Sequence, residues 1–128
     1  MGCRDRVELL ADPGSFEETE GHLVSANPLG FANYEEKVAG LREKTQLNDA
    51  VLTGRATVGG MPVMFCIMDF KFFAGSMGSV VGEKITRAIE TGLAEKRGII
   101  ILSSSSGARM QEGLLSLMQM AKTCGALN

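Results

Sequence analysis

Histidine is nearly missing from this chain, cysteine is scarce, and the two signs of charge almost cancel. Of 128 residues one is a histidine, His22, and three are cysteines, Cys3, Cys66 and Cys124. The cysteines are odd in number, widely separated and without a C-x-x-C pair, so neither a disulfide framework nor a zinc site is legible, and three reduced thiols are expected. Cys66 sits inside an apolar run and is read as core. A lone histidine with no cysteine beside it reads as a surface or hydrogen-bonding residue, not as a base or ligand. Thirteen basic and fifteen acidic side chains leave a net charge of −2, which provides no electrostatic footprint for nucleic acid. No apolar run approaches a membrane span and the first residues lack a secretory core, so a soluble, cytoplasmic-type protein is expected. The length allows one small domain at most.

The most informative stretch present is Gly98 to Glu112, GIIILSSSSGARMQE. Ile99 to Leu102 form a continuous apolar run, as a strand buried on both faces of a parallel sheet requires. From Met110 the period changes, with Met110, Leu114, Leu117, Met118 and Ala121 on one helical stripe. Between them, Ser103 to Ala108 are small enough for a ligand carbonyl to approach the main chain. Unpaired N–H groups at a helix start can hold a developing negative oxygen without an ionised side chain. The alternative is a buried βα unit whose serines merely cap the helix.

Elsewhere, Arg4 to Ala11 predicts a short helix with Val7, Leu10 and Ala11 on one stripe, stopped by Asp12-Pro13-Gly14. Ser15 to Gly40 reads as a surface loop. Ala50 to Val58 and Met61 to Phe70 predict two strands joined at Gly59-Gly60 as a hairpin, with Pro62 near a strand start where its missing N–H matters least. Ala74 to Ser79 is a second small-residue loop, leading into a helix with Val81, Ile85, Ala88 and Ile89 on its buried stripe. Glu83 suits its first turn, and Lys84, Arg87 and Glu90 are placed on its solvated face.

Phe70 to Glu90 (FKFFAGSMGSVVGEKITRAIE) and Ser103 to Thr123 (SSSSGARMQEGLLSLMQMAKT) resemble the β subunit of the bacterial and plastid acetyl-CoA carboxylase carboxyltransferase. The resemblance extends in collinear order to RVELLADPGSFEE from Arg6, NPLGF from Asn27 and REKTQLNDAVLTG from Arg42. It implies an α/β, crotonase-like spiral of ββα units. It also implies that residues 1–128 are the N-terminal part of a carboxyltransferase domain, a partial chain without the family's four-cysteine zinc ribbon, so that zinc is not bound here. The implied activity is carboxyl transfer from carboxybiotin, delivered on a biotin carboxyl carrier protein, to acetyl-CoA, giving malonyl-CoA for fatty acid biosynthesis. An α subunit would complete the active site, as an α2β2 hetero-oligomer working with biotin carboxylase in the cytoplasm or plastid stroma, with no membrane or nucleic-acid partner. Alternatives are a propionyl-CoA or other acyl-CoA carboxyltransferase, and a noncatalytic fragment of the same fold. A serine hydrolase is weaker, since no histidine lies near Ser103 to Ser106.

The family's SGGAR string falls on Ser106 and Gly107, whose N–H groups the resemblance makes the oxyanion donors. Serine replaces the first glycine, at a strain of about 1 kcal/mol if that position needs φ > 0. Gly75, Ser76, Met77 and Gly78 would line a coenzyme A channel, with tight packing as the other reading. Arg109 would meet a coenzyme A phosphate, or else pair with Glu112 three residues on.

Overall fold

The computed structural model describes residues 1–128. Its elements are α1 (Cys3–Leu10), β1 (Glu17–Thr19), α2 (Tyr34–Thr45), β2 (Val51–Val58), β3 (Met61–Met68), α3 (Ser79–Glu95), β4 (Gly98–Leu102) and α4 (Leu114–Leu127). They form a four-stranded sheet in the order β1-β2-β3-β4, antiparallel except for the parallel pair β3 and β4, between which α3 crosses over. One complete ββα unit (β2, β3, α3) is thus followed by β4 and α4.

The hairpin forms where Gly59-Gly60 predicts it. Both glycines have positive φ, 57° and 78°, as a two-residue turn between right-twisted strands requires, and Val58 pairs with Met61. The Asp12 carboxylate accepts hydrogen bonds from both turn amides and from the Thr57 hydroxyl, so the residue that stops α1 also pins the hairpin. The core lies where β2 and β3 meet α3, around Leu52, Phe65, Cys66, Ile67, Val81 and Ile85. Cys66 is fully buried, and burial pushes its thiol up to about 12.

Four expectations need correction. The Ser15–Gly40 segment is not all loop: β1 adds a short strand to β2, and α2 begins at Tyr34. Both have sparse apolar patterns; only Tyr34 and Val38 of α2 are buried. Second, β4 is an edge strand, since it pairs only with β3, and Ile101 is 38% exposed. Third, α4 turns the opposite face inward from the one its apolar stripe suggests. Met110, Leu114, Leu117, Met118 and Ala121 are exposed, while Ser116, Gln119 and Thr123 are buried. Gln119 lies against Gly82 of α3, where a Cβ would come within 2.0 Å of its side-chain oxygen. The two helices therefore cross at a glycine and a polar stripe.

Fourth, Lys84 is not on a solvated face. It is 2% exposed and its Nζ donates to the carbonyl of Val51 at 3.0 Å. One helical turn separates it from Val81 and from Ala88, so it shares their stripe and its stem packs with them. Desolvation holds its pKa below the ordinary 10.5. The unfolded chain therefore keeps a proton that the folded chain releases between the lowered pKa and 10.5, and stability due to Lys84 rises with pH in that window. Relative to Lys84→Met, the native chain is expected to gain stability as pH is raised from neutral towards 10.5. Urea midpoints of both proteins at the two ends of that range test this; a gap that does not change with pH refutes it. Cys3 and Cys66, whose buried thiols act in the opposite sense because they ionise in the unfolded chain first, are present in both proteins and couple to Lys84 only through its charge.

Candidate functional site

Two loops meet at the carboxyl end of the parallel pair. One follows β3 and passes through a single 3-10 turn at Phe73–Gly75; the other follows β4 and runs from Ser103 to a 3-10 turn at Met110–Glu112. Phe73, Ala74 and Gly75 have φ of 43°, 51° and 68°, three successive left-handed residues of which two bear a Cβ. Such strain costs on the order of 1–3 kcal/mol per non-glycine residue and persists only where its surroundings enforce it. The enforcing contacts are main-chain bonds between the loops. Ser106 N–H donates to the Ala74 carbonyl at 3.0 Å, Met77 N–H to the Gly107 carbonyl at 2.8 Å, and Arg109 N–H to the Met77 carbonyl at 2.9 Å.

This pattern sorts the oxyanion candidates. The Ser106 N–H is already engaged by Ala74 and is not free for a ligand. Ser106 also avoids positive φ, which falls instead on Gly107 at 118°, so serine at the first position carries no left-handed strain. The Gly107 N–H donates only to the nearby Ser105 hydroxyl, at 3.1 Å on an exposed surface, and a ligand oxygen could take that hydroxyl's place. Ala108, which sequence reading passed over, has an N–H with no partner in the chain. These are loop amides: α4 begins only at Leu114, so its N-terminus is not the donor. Gly107 and Ala108 border a cavity of about 260 Å³ lined by Met68, Met77, Ile85, Ile101, Met120 and Leu127, with serine and threonine hydroxyls and no ionisable side chain.

The second small-residue loop is enclosed by the protein itself. Gly75, Ser76 and Gly78 are buried, and a Cβ would lie 1.9 Å from the Ser104 carbonyl at Gly75 and 1.7 Å from a Glu112 carboxylate oxygen at Gly78. These residues permit close packing between the two loops; of the four, only Met77 borders the cavity. Arg109 is not poised for a phosphate either. Its side chain is fully enclosed and all five N–H donors are in use: on Asp49 at 2.6 and 3.1 Å, Tyr34 at 3.1 Å, and the hydroxyl and carbonyl of Ser76 at 3.1 and 2.8 Å. Burial disfavours the cation, but the hydrogen bonds and charge of Asp49 more than reverse this and hold its pKa above the ordinary arginine value. Glu112 stands at 3.9 Å, a distant second ion.

The collinear resemblance has an independent counterpart. A family profile described as the carboxyl transferase domain matches residues 2–127. The chain belongs to the carboxyl transferase domain family. The acetyl-coenzyme A carboxylase carboxyl transferase subunit beta of Desulforamulus reducens is 50% identical over 127 residues, 99% of this chain and 44% of the relative. Its counterpart from Clostridium botulinum strain Hall is 52% identical over the same shares. The chain thus spans 44% of the length of the curated relatives it matches. Transcarboxylase 12S, solved with methylmalonyl-coenzyme A and methylmalonic acid bound, superimposes with a TM-score of 0.85 at 29% identity, covering 98% of this chain and 23% of that one. The Pseudomonas malonate decarboxylase hetero-dimer gives 0.72 at 25% identity, covering 98% and 46%. The mixed α/β, crotonase-like fold that the resemblance implied is therefore that of carboxyl transferase structures.

Glu112, which the sequence offered only as a partner for Arg109, is buried and engaged elsewhere. Its carboxylate accepts from the N–H and hydroxyl of Ser79, at 2.9 and 2.7 Å, and from the Ser25 hydroxyl at 3.1 Å. A negative charge held at the first residue of α3 suits the helix dipole and ties that helix to the 3-10 turn after Gly107. Asp49, Tyr34, Ser25 and Ser79 lie 33 to 87 residues from their partners in sequence, so no local spacing could reveal them.

Proposed function

We propose that this chain is the part of an acetyl-CoA carboxylase carboxyl transferase β subunit that holds the thioester oxygen of acetyl-CoA while its methyl carbon accepts a carboxyl group. The observation carrying this reading is the pair of available amides, Gly107 and Ala108, at the mouth of an apolar cavity without an ionisable side chain. An enolate oxygen developing there would meet two main-chain donors, and once the bound ligand covers this exposed turn the hydrogen bonds to the anion would be strong. Met77 and Met120 would exclude water from that carbon. Carboxybiotin on a carrier protein supplies the carboxyl group and a ureido nitrogen to take the proton. This explains how a chain with one exposed histidine, His22, could serve without a base of its own.

The partners follow from the same reading. The open edge of β4 and the outward apolar stripe of α4 are surfaces for further polypeptide, which we assign to the rest of a longer β subunit and to an α subunit. The carrier protein and biotin carboxylase would act in the same assembly, with residues 1–128 as the first portion of the transferase domain. Malonyl-CoA formation by the full-length β subunit with its α partner and carboxylated carrier tests the reading, and no turnover there overturns it. The closer match to acetyl-coenzyme A carboxylase subunits carries the expectation that kcat/KM is higher for acetyl-CoA than for propionyl-CoA, and the worth of one methylene in an apolar pocket, ~1–3 kcal/mol, sets the size of the gap at ~10-fold or more. Equal or reversed values would make the protein a propionyl-CoA carboxyltransferase.

A further inference from the structure

The Phe73–Gly75 turn is strained, exposed at Ala74, and yet supplies the carbonyl that orients Ser106. One side chain grips it from beneath. The Arg109 guanidinium lies 5.1 Å from the centre of the Phe73 ring and 5.8 Å from that of Phe72, and takes both the hydroxyl and the carbonyl of Ser76. Its far side is anchored on Asp49 in β2's approach and on Tyr34 of α2. Its own main chain closes the loop pair through Met77, whose N–H in turn holds the Gly107 carbonyl. A planar five-donor fork meets these five acceptor contacts at once; an ammonium, with three donors from a single point, does not.

We infer that Arg109 is a positioning residue for the oxyanion turn: clamped to Asp49 and Tyr34, it holds the strained 73–76 segment in the conformation that engages the Ser106 N–H on Ala74 and leaves Gly107 and Ala108 at the cavity mouth. Only the identity of what the turn binds rests on the carboxyl-transfer reading; the clamp itself does not.

Amide hydrogen exchange on the full chain tests the clamp without any substrate. In Arg109→Lys the Ser106 and Met77 amides should exchange roughly 10-fold faster or more, while amides paired between β2 and β3 change by less than about 2-fold. Ser76→Ala, which removes one acceptor and keeps the ion pair, should shift the same two amides in the same direction by less, and it decides the matter if Arg109→Lys does not fold. In the full-length enzyme with its α partner, Arg109→Lys should lower kcat by roughly 10- to 100-fold with KM for acetyl-CoA nearly unchanged, because misplacing donors by about 1 Å acts on the transition state. Unchanged exchange at Ser106 and Met77 in a folded variant overturns the inference. So does a uniform rise across the sheet, or a loss confined to KM. If the native enzyme transfers no carboxyl group, the functional reading fails while the exchange result still decides the clamp.

Discussion

Asp49→Ala is expected to destabilise the chain by ~3–5 kcal/mol, the cost of leaving a buried arginine without its counter-ion. The side chains of Asp49 and Arg109 are both wholly inaccessible and meet at 2.6 Å. After the substitution the cation keeps only Tyr34, Ser76 and the remote Glu112. Asp49 also accepts from the Ala50 N–H, which would lose its partner just ahead of β2. The loss is a large share of the ~5–15 kcal/mol that holds a typical domain together. Urea unfolding followed by circular dichroism measures it. Asp49→Ala combined with Arg109→Met should recover much of the loss, because removing both ions leaves no unpaired charge in the interior. A single-variant loss below about 1 kcal/mol would mean that the pair behaves as a solvated one.

On the proposed carboxyl-transfer reading, Gly107→Ala is expected to lower kcat of the full-length β subunit assembled with the proposed α subunit by ~10²–10³, the usual consequence of losing one oxyanion donor. The substitution is informative because a Cβ at Gly107 meets no atom within 4 Å. Its effect must come through the backbone: φ of 118° is outside the range that an L side chain adopts, so the peptide has to turn and its N–H with it. Thermal melting should fall modestly: the site is exposed, but the turned peptide is strained and weakens the bond that the Gly107 carbonyl accepts from the Met77 N–H. Ser106→Gly is the control. Its N–H serves Ala74 and its φ is ordinary, so activity should be retained. If Ser106→Gly abolished turnover in a well-folded enzyme, the hydroxyl would be chemically engaged and the main-chain account would fall.

Local patterns were legible wherever neighbours in sequence are also neighbours in space. The Gly59-Gly60 turn, the two strands it joins, α1 with its stop at Asp12, and the stripe Val81, Ile85, Ala88 and Ile89 all follow from periodicity and turn chemistry. α2 was not legible, because Tyr34, Val38 and Leu41 are its only large apolar residues, only the first two are buried, and charged residues fill most of the remainder. For α4 the period was right and the direction wrong: hydrophobicity marks a stripe but does not say which surface will cover it. Leu114, at 71% exposed, and Leu117, at 59%, stand outward because Ser116 and Gln119 meet Arg109 and Gly82 within the chain. β4 carries the Ile-rich run of a central strand and yet forms the edge of this sheet, since strand order is a property of the whole topology.

The sequence by itself determined the family, through collinear strings no short motif could match, and the existence of two small-residue loops at the ends of β3 and β4. It also offered Gly107 as a candidate donor. Tertiary structure alone decided which amides are available at the site, because a hydrogen bond to Ala74, in a loop distant in sequence, consumes the Ser106 N–H while those of Gly107 and Ala108 are left. Tertiary structure likewise turned Arg109 from a candidate phosphate ligand into an internal clamp. A guanidinium on a surface and one in a core are the same letters in sequence; only the fold brings Asp49, Tyr34 and Ser76 within reach of its five donors and removes water from around it.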